Sequence, residues 1–310
     1  MNKKIIEVVA GALMRPDGSF MLGSRPAGKP YAGYWEFPGG KVEAGETPFA
    51  ALVREFREEM AIEVTQATPW LTKTHHYEHA SVHLRFYRIW AWQGEPQPQE
   101  GQQFAWQIPG QYSVGPMLPA NGPILKSLEL PDVYAITCAH EIGVERQLQR
   151  LAEKAYPLVQ VREPQMKQQQ LAAFVQQVAA IVHPRQGKLV VNADPAWLAG
   201  WPVDGVHLAS QRLAALSERP DFAWVGASVH HAAELQRAGE LGLDYALLGH
   251  VCPTPSHADS TPLGWDGFEC RLAAGTPLPV YALGGLTAAD LPQARAHGAH
   301  GVALMRGAWV

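Results

Sequence analysis

The sequence predicts two domains in tandem, an α+β domain over residues 1–130 and an α/β (β/α)8 barrel over residues 133–310 that is trimmed at its C-terminal helix. A chain of 310 residues with 47% hydrophobic content has core material for two globular units. Up to about residue 129, strand-like runs flank one glycine-rich loop and one well-marked helix. After Leu130-Pro131-Asp132 the rhythm changes to short apolar runs alternating with amphipathic stretches, the pattern of a parallel sheet with helical crossovers.

The elements follow in order. Residues 5–13 form an apolar run interrupted by Glu7, too short to span a bilayer and followed by no small-residue cleavage site, so they read as a first strand. Pro16-Asp17-Gly18 makes a turn into a second strand at 20–22. Thr47 as N-cap and Pro48 at the first helical position, where a missing N–H costs nothing, predict a helix over 48–60. A stretch rich in β-branched and aromatic residues over 74–92 predicts a strand pair, 94–101 is a polar loop, and a short helix at 123–128 closes the domain. Eight further strands begin near Val133, Leu158, Leu189, Gly205, Ala223, Tyr245, Val280 and Gly301, with helices predicted at 144–155, 167–182 and 231–241. This segment is shorter than the typical barrel of about 250 residues. No room remains after the eighth strand for a final helix, so part of the outer wall is expected to be exposed or covered by a partner, which would make a homo-oligomer.

A net charge of -4 with scattered Lys and Arg argues against a nucleic-acid polymer as partner and for a small-molecule ligand. Cys138, Cys252 and Cys270 lack CxxC spacing and are odd in number, so neither a zinc knuckle nor a disulfide framework is suggested. A reducing cytoplasm, away from any membrane, is the expected compartment.

On the helix over 48–60, Glu55, Glu58 and Glu59 fall at i, i+3 and i+4, so three carboxylates crowd one face and repel one another unless a cation lies among them. Oxygen ligands without nearby Cys or patterned His favour Mg²⁺, or Mn²⁺. The alternative is a solvated acidic face, which would interleave lysines, whereas Arg54 is the sole nearby base. Pro38-Gly39-Gly40 before the helix lets backbone approach a metal or phosphate and equally suits an ordinary turn. His75, His76, His79 and His83 lack consistent facing and read as a polar sheet face or substrate rim rather than a zinc site.

Gly40, Glu46, Arg54, Glu55, Glu58 and Glu59 stand in the order G-x5-E-x7-R-E-x2-E-E, which resembles the Nudix box. Six fixed letters give a chance match on the order of 10⁻⁷ per starting position. The resemblance implies a Nudix fold and a hydrolase that splits a nucleoside triphosphate into a monophosphate and pyrophosphate. Within it, Glu59, Glu55 and Glu58 bind metal, Gly39 offers its carbonyl, and Arg54 with Glu46 orients the carboxylate helix. Trp35-Glu36-Phe37-Pro38-Gly39-Gly40-Lys41 and Pro119-Ala120-Asn121 resemble the MutT branch, which removes oxidised guanine nucleotides from the precursor pool and so protects DNA. That branch implies Glu100 as a loop base or extra ligand, and Asn121, Arg25 and Phe37 as substrate-binding residues. Asn121-Gly122 also suits a common turn, and Arg25 a surface position. Ala61 departs from the family's glycine, which implies a slightly different helix exit.

In the second region, Gln160-Val161-Arg162-Glu163, Gly205-Val206-His207, Gly226-Ala227-Ser228-Val229-His230, Gly249-His250-Val251 and Gly284-Gly285 each end a candidate strand, where active sites of such barrels lie. Together they resemble thiamine phosphate synthase and its relative TenI, a thiazole tautomerase, and imply a TIM-type barrel. The synthase aspartate after Asn192 is Ala193 here, its second magnesium carboxylate is Gln211, and its lysines are replaced by Pro164 and by His257 in Pro253-Thr254-Pro255-Ser256-His257. Loss of synthase activity is the expectation. His230 matches the tautomerase histidine and has the pKa for acid–base work, while a helix-terminal histidine without a task fits equally. Arg162, Gly284, Gly285 and the turn after Met305 are the expected ligand-binding positions. Two alternatives stay open: a hydrolase of thiamine-type diphosphates, and a chain that joins Nudix hydrolysis to tautomerisation.

Overall fold

A computed structural model of the chain describes residues 5–76, 81–255 and 259–310, with backbone only at 75 and 76. It separates into two compact units, Met1–Glu129 and Leu130–Val310.

The first unit runs β1 (Ile5–Leu13), β2 (Phe20–Ser24), β3 (Trp35–Glu36), β4 (Gly39–Lys41), α1 (Pro48–Met60), β5 (Glu63–His76), β6 (Ser81–Gln93), β7 (Phe104–Gln107) and α2 (Gly122–Leu128). One sheet has the order β4-β1-β6-β5 and a second the order β3-β2-β7. β1 is the hinge of the design, antiparallel to β4 and parallel to β6. Its Val9 and Leu13 pack with Leu52, Phe56 and Met60 of α1. Ala10 and Ala12 pack with Trp35, Phe37, Trp70, Phe86 and the α2 residues Ile124 and Leu125. Each large apolar side chain so buried contributes roughly 1.5–3 kcal/mol, which clamps both helices. The predicted bounds of α1 hold. The predicted strand pair is present but longer, because β5 begins at Glu63 rather than Thr74. Ala61 takes the left-handed conformation itself, φ 55° and ψ 33°, so the helix exit keeps the turn a glycine would make.

The second unit is a closed barrel of eight parallel strands. These are β8 (Val133–Ile136), β9 (Leu158–Val161), β10 (Lys188–Val191), β11 (Gly205–Leu208), β12 (Trp224–Val229), β13 (Tyr245–Gly249), β14 (Val280–Leu283) and β15 (Gly301–Leu304). Closure is made by β15 on β8. The helices outside are α3 (Ala139–Ile142), α4 (Val144–Glu153), α5 (Gln168–Val182), α6 (Ser210–Ala215), α7 (Ala232–Glu240), α8 (Gly264–Leu272), α9 (Leu291–Ala296) and α10 (Arg306–Trp309). Strands covered on both faces are near-continuously apolar, which is why their short runs were readable. Inside the barrel Tyr134, Tyr245 and Tyr281 fill the space, and a Cβ on Gly226 would stand 2.1 Å from the Tyr245 ring. Only a 3-10 turn, Pro195–Trp197, separates β10 from β11. The expectation that no helix follows the eighth strand is corrected in part: α10 is one turn, and Trp309 is buried with its Nε1 donating to the Ile136 carbonyl at 2.8 Å. Among the described residues no helix is long and apolar enough to cross a membrane.

Candidate functional site

In the first unit the site grows from the phase of α1. Thr47 caps the helix, accepting from the Ala50 N–H at 3.2 Å, and burial of Leu52, Phe56 and Met60 fixes its rotation. That rotation turns Glu55 and Glu59 towards β4, where bare glycine backbone meets them. A Cβ on Gly40 would lie 2.1 Å from a Glu55 carboxylate oxygen. Gly39, at φ 150° and hard against the Val9 carbonyl, admits no side chain and gives Glu59 a backbone hydrogen bond.

The carboxylate crowding predicted on α1 is divided in two. Arg54 reaches both oxygens of Glu46 at 3.0 and 3.1 Å, Glu55 at 2.9 Å, Glu58 at 3.1 Å and the Lys41 carbonyl at 2.9 Å. Arg54 is therefore the cation among Glu46, Glu55 and Glu58. Among the described residues Glu59 has no ion pair of its own, and Lys29 is the cation in its field. Burial, then the charges of Glu55 and Glu100, push its carboxyl up to about 7.

Glu100 is brought to Glu59 by the loop before β7. The Gln99 N–H donates to the Glu59 carbonyl at 3.2 Å, and buried Gln102 donates to the same carbonyl at 2.9 Å while accepting from the Glu100 N–H at 2.7 Å. The open end of α1 is thus capped by the segment that carries the loop carboxylate. A pocket lined by Lys29, Glu36, Phe37, Gly39, Glu59, Glu100 and Gln102 results. Phe37 stacks on Phe20 at 5.7 Å. Arg25 is engaged with Glu36, at 2.7 and 2.9 Å, and Asn121 is buried with its amide 3.5 Å from the Trp35 carbonyl; neither lines this pocket. Lys29, Glu36 and Gln102 were not singled out from the sequence. Lys29, in Gly28-Lys29-Pro30, carried a visible signal there as a cation in a turn before the glycine-rich loop, and Glu36 lay inside the Trp35-Glu36-Phe37-Pro38-Gly39-Gly40-Lys41 motif.

A hard divalent cation fits this donor chemistry: the ligands are all oxygen, the glycine backbone approaches closely, and Glu59 stands beside the like charges of Glu55 and Glu100. Among the described residues no three acidic, His or Cys side chains converge on one point in this conformation, because Arg54 draws Glu55 and Glu58 to its own side. Of the histidine cluster, His83 pairs with Glu7 across β1 and β6 at 3.0 Å. The side chains of His75 and His76, and all of His79, lie outside the described residues.

In the second unit a cavity of about 490 Å³ opens at the C-terminal ends of the strands. Arg162, His230, Gly284 and Gly285 all line it, with Asn192, Ser228, His250 and Arg306. Among the described lining residues none is Asp or Glu. The His230 ring and N–H both meet Glu234, at 3.2 and 2.6 Å. Gly284 and Gly285, at φ 103° and 68°, pass within Cβ-clash distance of His250 and Pro253. Beside Ala193, Asp194 pairs with Arg212 at 3.1 Å, and Gln211 is exposed on α6. Glu163 is buried as a cap of α3, accepting from Thr137 Oγ at 2.6 Å and the Ala139 N–H at 2.7 Å. Ser256 and His257 lie outside the described residues.

Comparison with known proteins agrees with this division. Residues 133–308 match the family model described as thiamine monophosphate synthase, and residues 9–127 the one described as the NUDIX domain. An 8-oxo-dGTP diphosphatase of Haemophilus influenzae is 38% identical over 128 residues, 41% of this chain and 94% of the relative. A CTP pyrophosphohydrolase of Escherichia coli is 39% identical over 124 residues, 40% of this chain and 91% of the relative. A putative thiamine-phosphate synthase of Geobacter sulfurreducens is 34% identical over 186 residues, 56% of this chain and 84% of the relative. With an Arg54-braced carboxylate helix in one unit and a closed eight-stranded barrel in the other, the chain belongs both to the Nudix hydrolases and to the thiamine monophosphate synthase family.

Proposed function

We propose that the first unit is a Mg²⁺-dependent pyrophosphohydrolase of the MutT type that converts 8-oxo-dGTP to 8-oxo-dGMP and pyrophosphate. The observation that carries this reading is the half-buried Glu59 carboxylate against the Gly39 backbone, with Glu100 brought beside it by Gln102. Glu59, Glu55, Glu58, Glu100 and the Gly39 carbonyl are the groups that would hold Mg²⁺, or Mn²⁺ in its place. When bound, such an ion lowers the pKa of water and neutralises charge on the leaving pyrophosphate. Arg54, fixed by Glu46, holds Glu55 and Glu58 on its own side in this conformation, so binding the ion would draw them from it, and Glu55 or Glu100 would accept the water's proton. Phe37, almost fully buried against Phe20 and Phe86, backs the pocket from the core.

Relatives named 8-oxo-dGTP diphosphatase support the oxidised purine, and the one named CTP pyrophosphohydrolase makes a cytidine nucleotide the first comparison. The deciding experiment measures kcat/KM for 8-oxo-dGTP, dGTP, CTP and thiamine diphosphate. The oxidised nucleotide should exceed dGTP and CTP by at least about tenfold, a difference of roughly 1.4 kcal/mol in transition-state binding. Inertness towards 8-oxo-dGTP would sink the assignment. Glu59→Gln should abolish Mg²⁺-dependent turnover with the fold intact.

A second reading concerns the barrel. Its cavity presents two arginines, two histidines and glycine-rich backbone without a carboxylate among the described lining residues, which supports a phosphorylated small molecule over magnesium-assisted diphosphate chemistry. Ala193 and Gln211 point the same way. We assign it a tautomerase-like role with His230 as acid–base; isomerisation of thiazole carboxylate phosphate, lost in His230→Ala, is the test, and inactivity of the wild type leaves a binding module.

A further inference from the structure

Of the described residues lining the Glu59 pocket, Lys29 is the sole base, and it faces three acids, Glu36, Glu59 and Glu100. Glu36 already has Arg25, at 2.7 Å. Lys29 instead places its Nζ 2.8 Å from Glu100 Oε2 and within the field of Glu59. The two members of this pair are held differently. Glu100 sits on a loop whose Gln102 accepts from the Glu100 N–H at 2.7 Å and donates to the Glu59 carbonyl of α1 at 2.9 Å, whereas the Lys29 ammonium hangs on a flexible four-carbon stem. Both side chains are about half exposed, 49% and 46%, so the contact is of the weak, readily exchanged kind. Lys29 is the member that can leave.

We propose that Lys29 is a phosphate-positioning residue of the hydrolase, held on Glu100 until a divalent cation arrives. An ammonium and a divalent ion cannot both sit beside Glu59 and Glu100 without mutual repulsion. Entry of the ion releases Lys29, and a triphosphate, the strongest remaining anion in the pocket, receives it. This rests on the reading of Glu59 and Glu100 as carboxylates of the metal site.

The two halves of the exchange have opposite signs. Lys29→Met removes a competitor for the ion and a partner for the phosphates. On the full chain without nucleotide, Mn²⁺ binding followed by the electron paramagnetic resonance of free Mn²⁺ should be about two- to fivefold tighter in Lys29→Met than in wild type. KM for the nucleoside triphosphate should rise about tenfold with a smaller change in kcat, and Lys29→Arg should restore most of it. In Glu100→Gln, adding Lys29→Met should tighten Mn²⁺ binding no further. Unchanged or weaker Mn²⁺ binding in Lys29→Met, or an unchanged KM, overturns the proposal. If wild type and Glu59→Gln bind Mn²⁺ equally, the metal-site reading itself falls; if they differ while Lys29→Met matches wild type, the role of Lys29 alone falls.

Discussion

Arg54 holds Glu46 in a two-point fork, Nε to Oε1 at 3.0 Å and Nη2 to Oε2 at 3.1 Å, while its remaining nitrogen bridges Glu55 and Glu58 at 2.9 and 3.1 Å. A planar guanidinium can serve all three carboxylates at once; an ammonium cannot. Arg54→Lys should therefore lower kcat by about 10- to 100-fold, the usual effect of losing a residue that orients metal ligands, with circular dichroism unchanged. Activity within twofold of wild type would show that Glu55 and Glu58 need no such brace.

The exit of α1 carries a separable cost. Ala61 sits at φ 55° with its N–H bonded to the Arg57 carbonyl, a left-handed position that penalises any Cβ. Ala61 is exposed and lines no part of the pocket, so Ala61→Gly should stabilise the first unit by about 0.5–1 kcal/mol, a rise of roughly 2–4 °C in its calorimetric midpoint, without altering kcat. A fall in the midpoint would mean that the flexibility gained by the unfolded chain outweighs the relieved strain.

Legibility in the sequence followed how local each determinant was. Thr47 and Pro48 mark α1 by chemistry confined to its first turn, and the barrel strands stand out because both their faces are buried. β5 was half missed. It is an edge strand whose register shifts between Val64 and Gln66 and again between Pro69 and Leu71, so alternation is broken and a proline sits where only an edge tolerates one. Within the site, the carboxylate spacing was readable as a helix face, and the resemblance to known families supplied Glu100. Gln102 was not readable, because its role is two hydrogen bonds to residues whose proximity only the fold creates. Nor could spacing reveal that Asn121 is buried against Trp35.

Glu59 sets a pH dependence for the ion. Its carboxyl is raised from 4.5 to about 7, so without metal its favourable contribution, complete below about 4.5, is lost as pH rises through 7. A divalent ion must displace that proton. Affinity for Mg²⁺ or Mn²⁺ should climb by up to about tenfold per pH unit below 7 and level off above it, read by titration calorimetry between about pH 5.5 and 8.5. Glu59→Gln should bind weakly and with little slope. A flat profile in wild type would mean that another carboxylate carries the ion.

His207 gives the barrel the opposite dependence. Burial, then the charge of Arg162, pushes its imidazole down to about 3 from 6.5. The hydrogen bonds around it have one consistent direction: Tyr134 donates to the Gln160 side-chain oxygen at 2.8 Å, so Tyr245 donates to Tyr134 at 2.9 Å. His207 Nδ1–H is left to point at Tyr245, at 3.4 Å, and its Nε2 accepts from Ser228 at 2.9 Å. A second proton on the ring would turn the Ser228 hydroxyl from donor to acceptor and leave a full charge on a buried imidazole beside Arg162. Because the folded pKa lies below the unfolded one, the unfolded chain binds more protons between about pH 6.5 and 3, and stability present above 6.5 is lost as pH falls through that window. Hydrogen exchange in peptides of β11 to β13, corrected for the intrinsic rate, should show protection falling from pH 6.5 to 4 in wild type and falling less in His207→Gln, whose amide cannot take up the proton. The variant itself should lose about 1–3 kcal/mol at pH 7 through imperfect partnering of Ser228 and Tyr245. Equal slopes in the two proteins would assign the acid sensitivity of the barrel to groups other than His207.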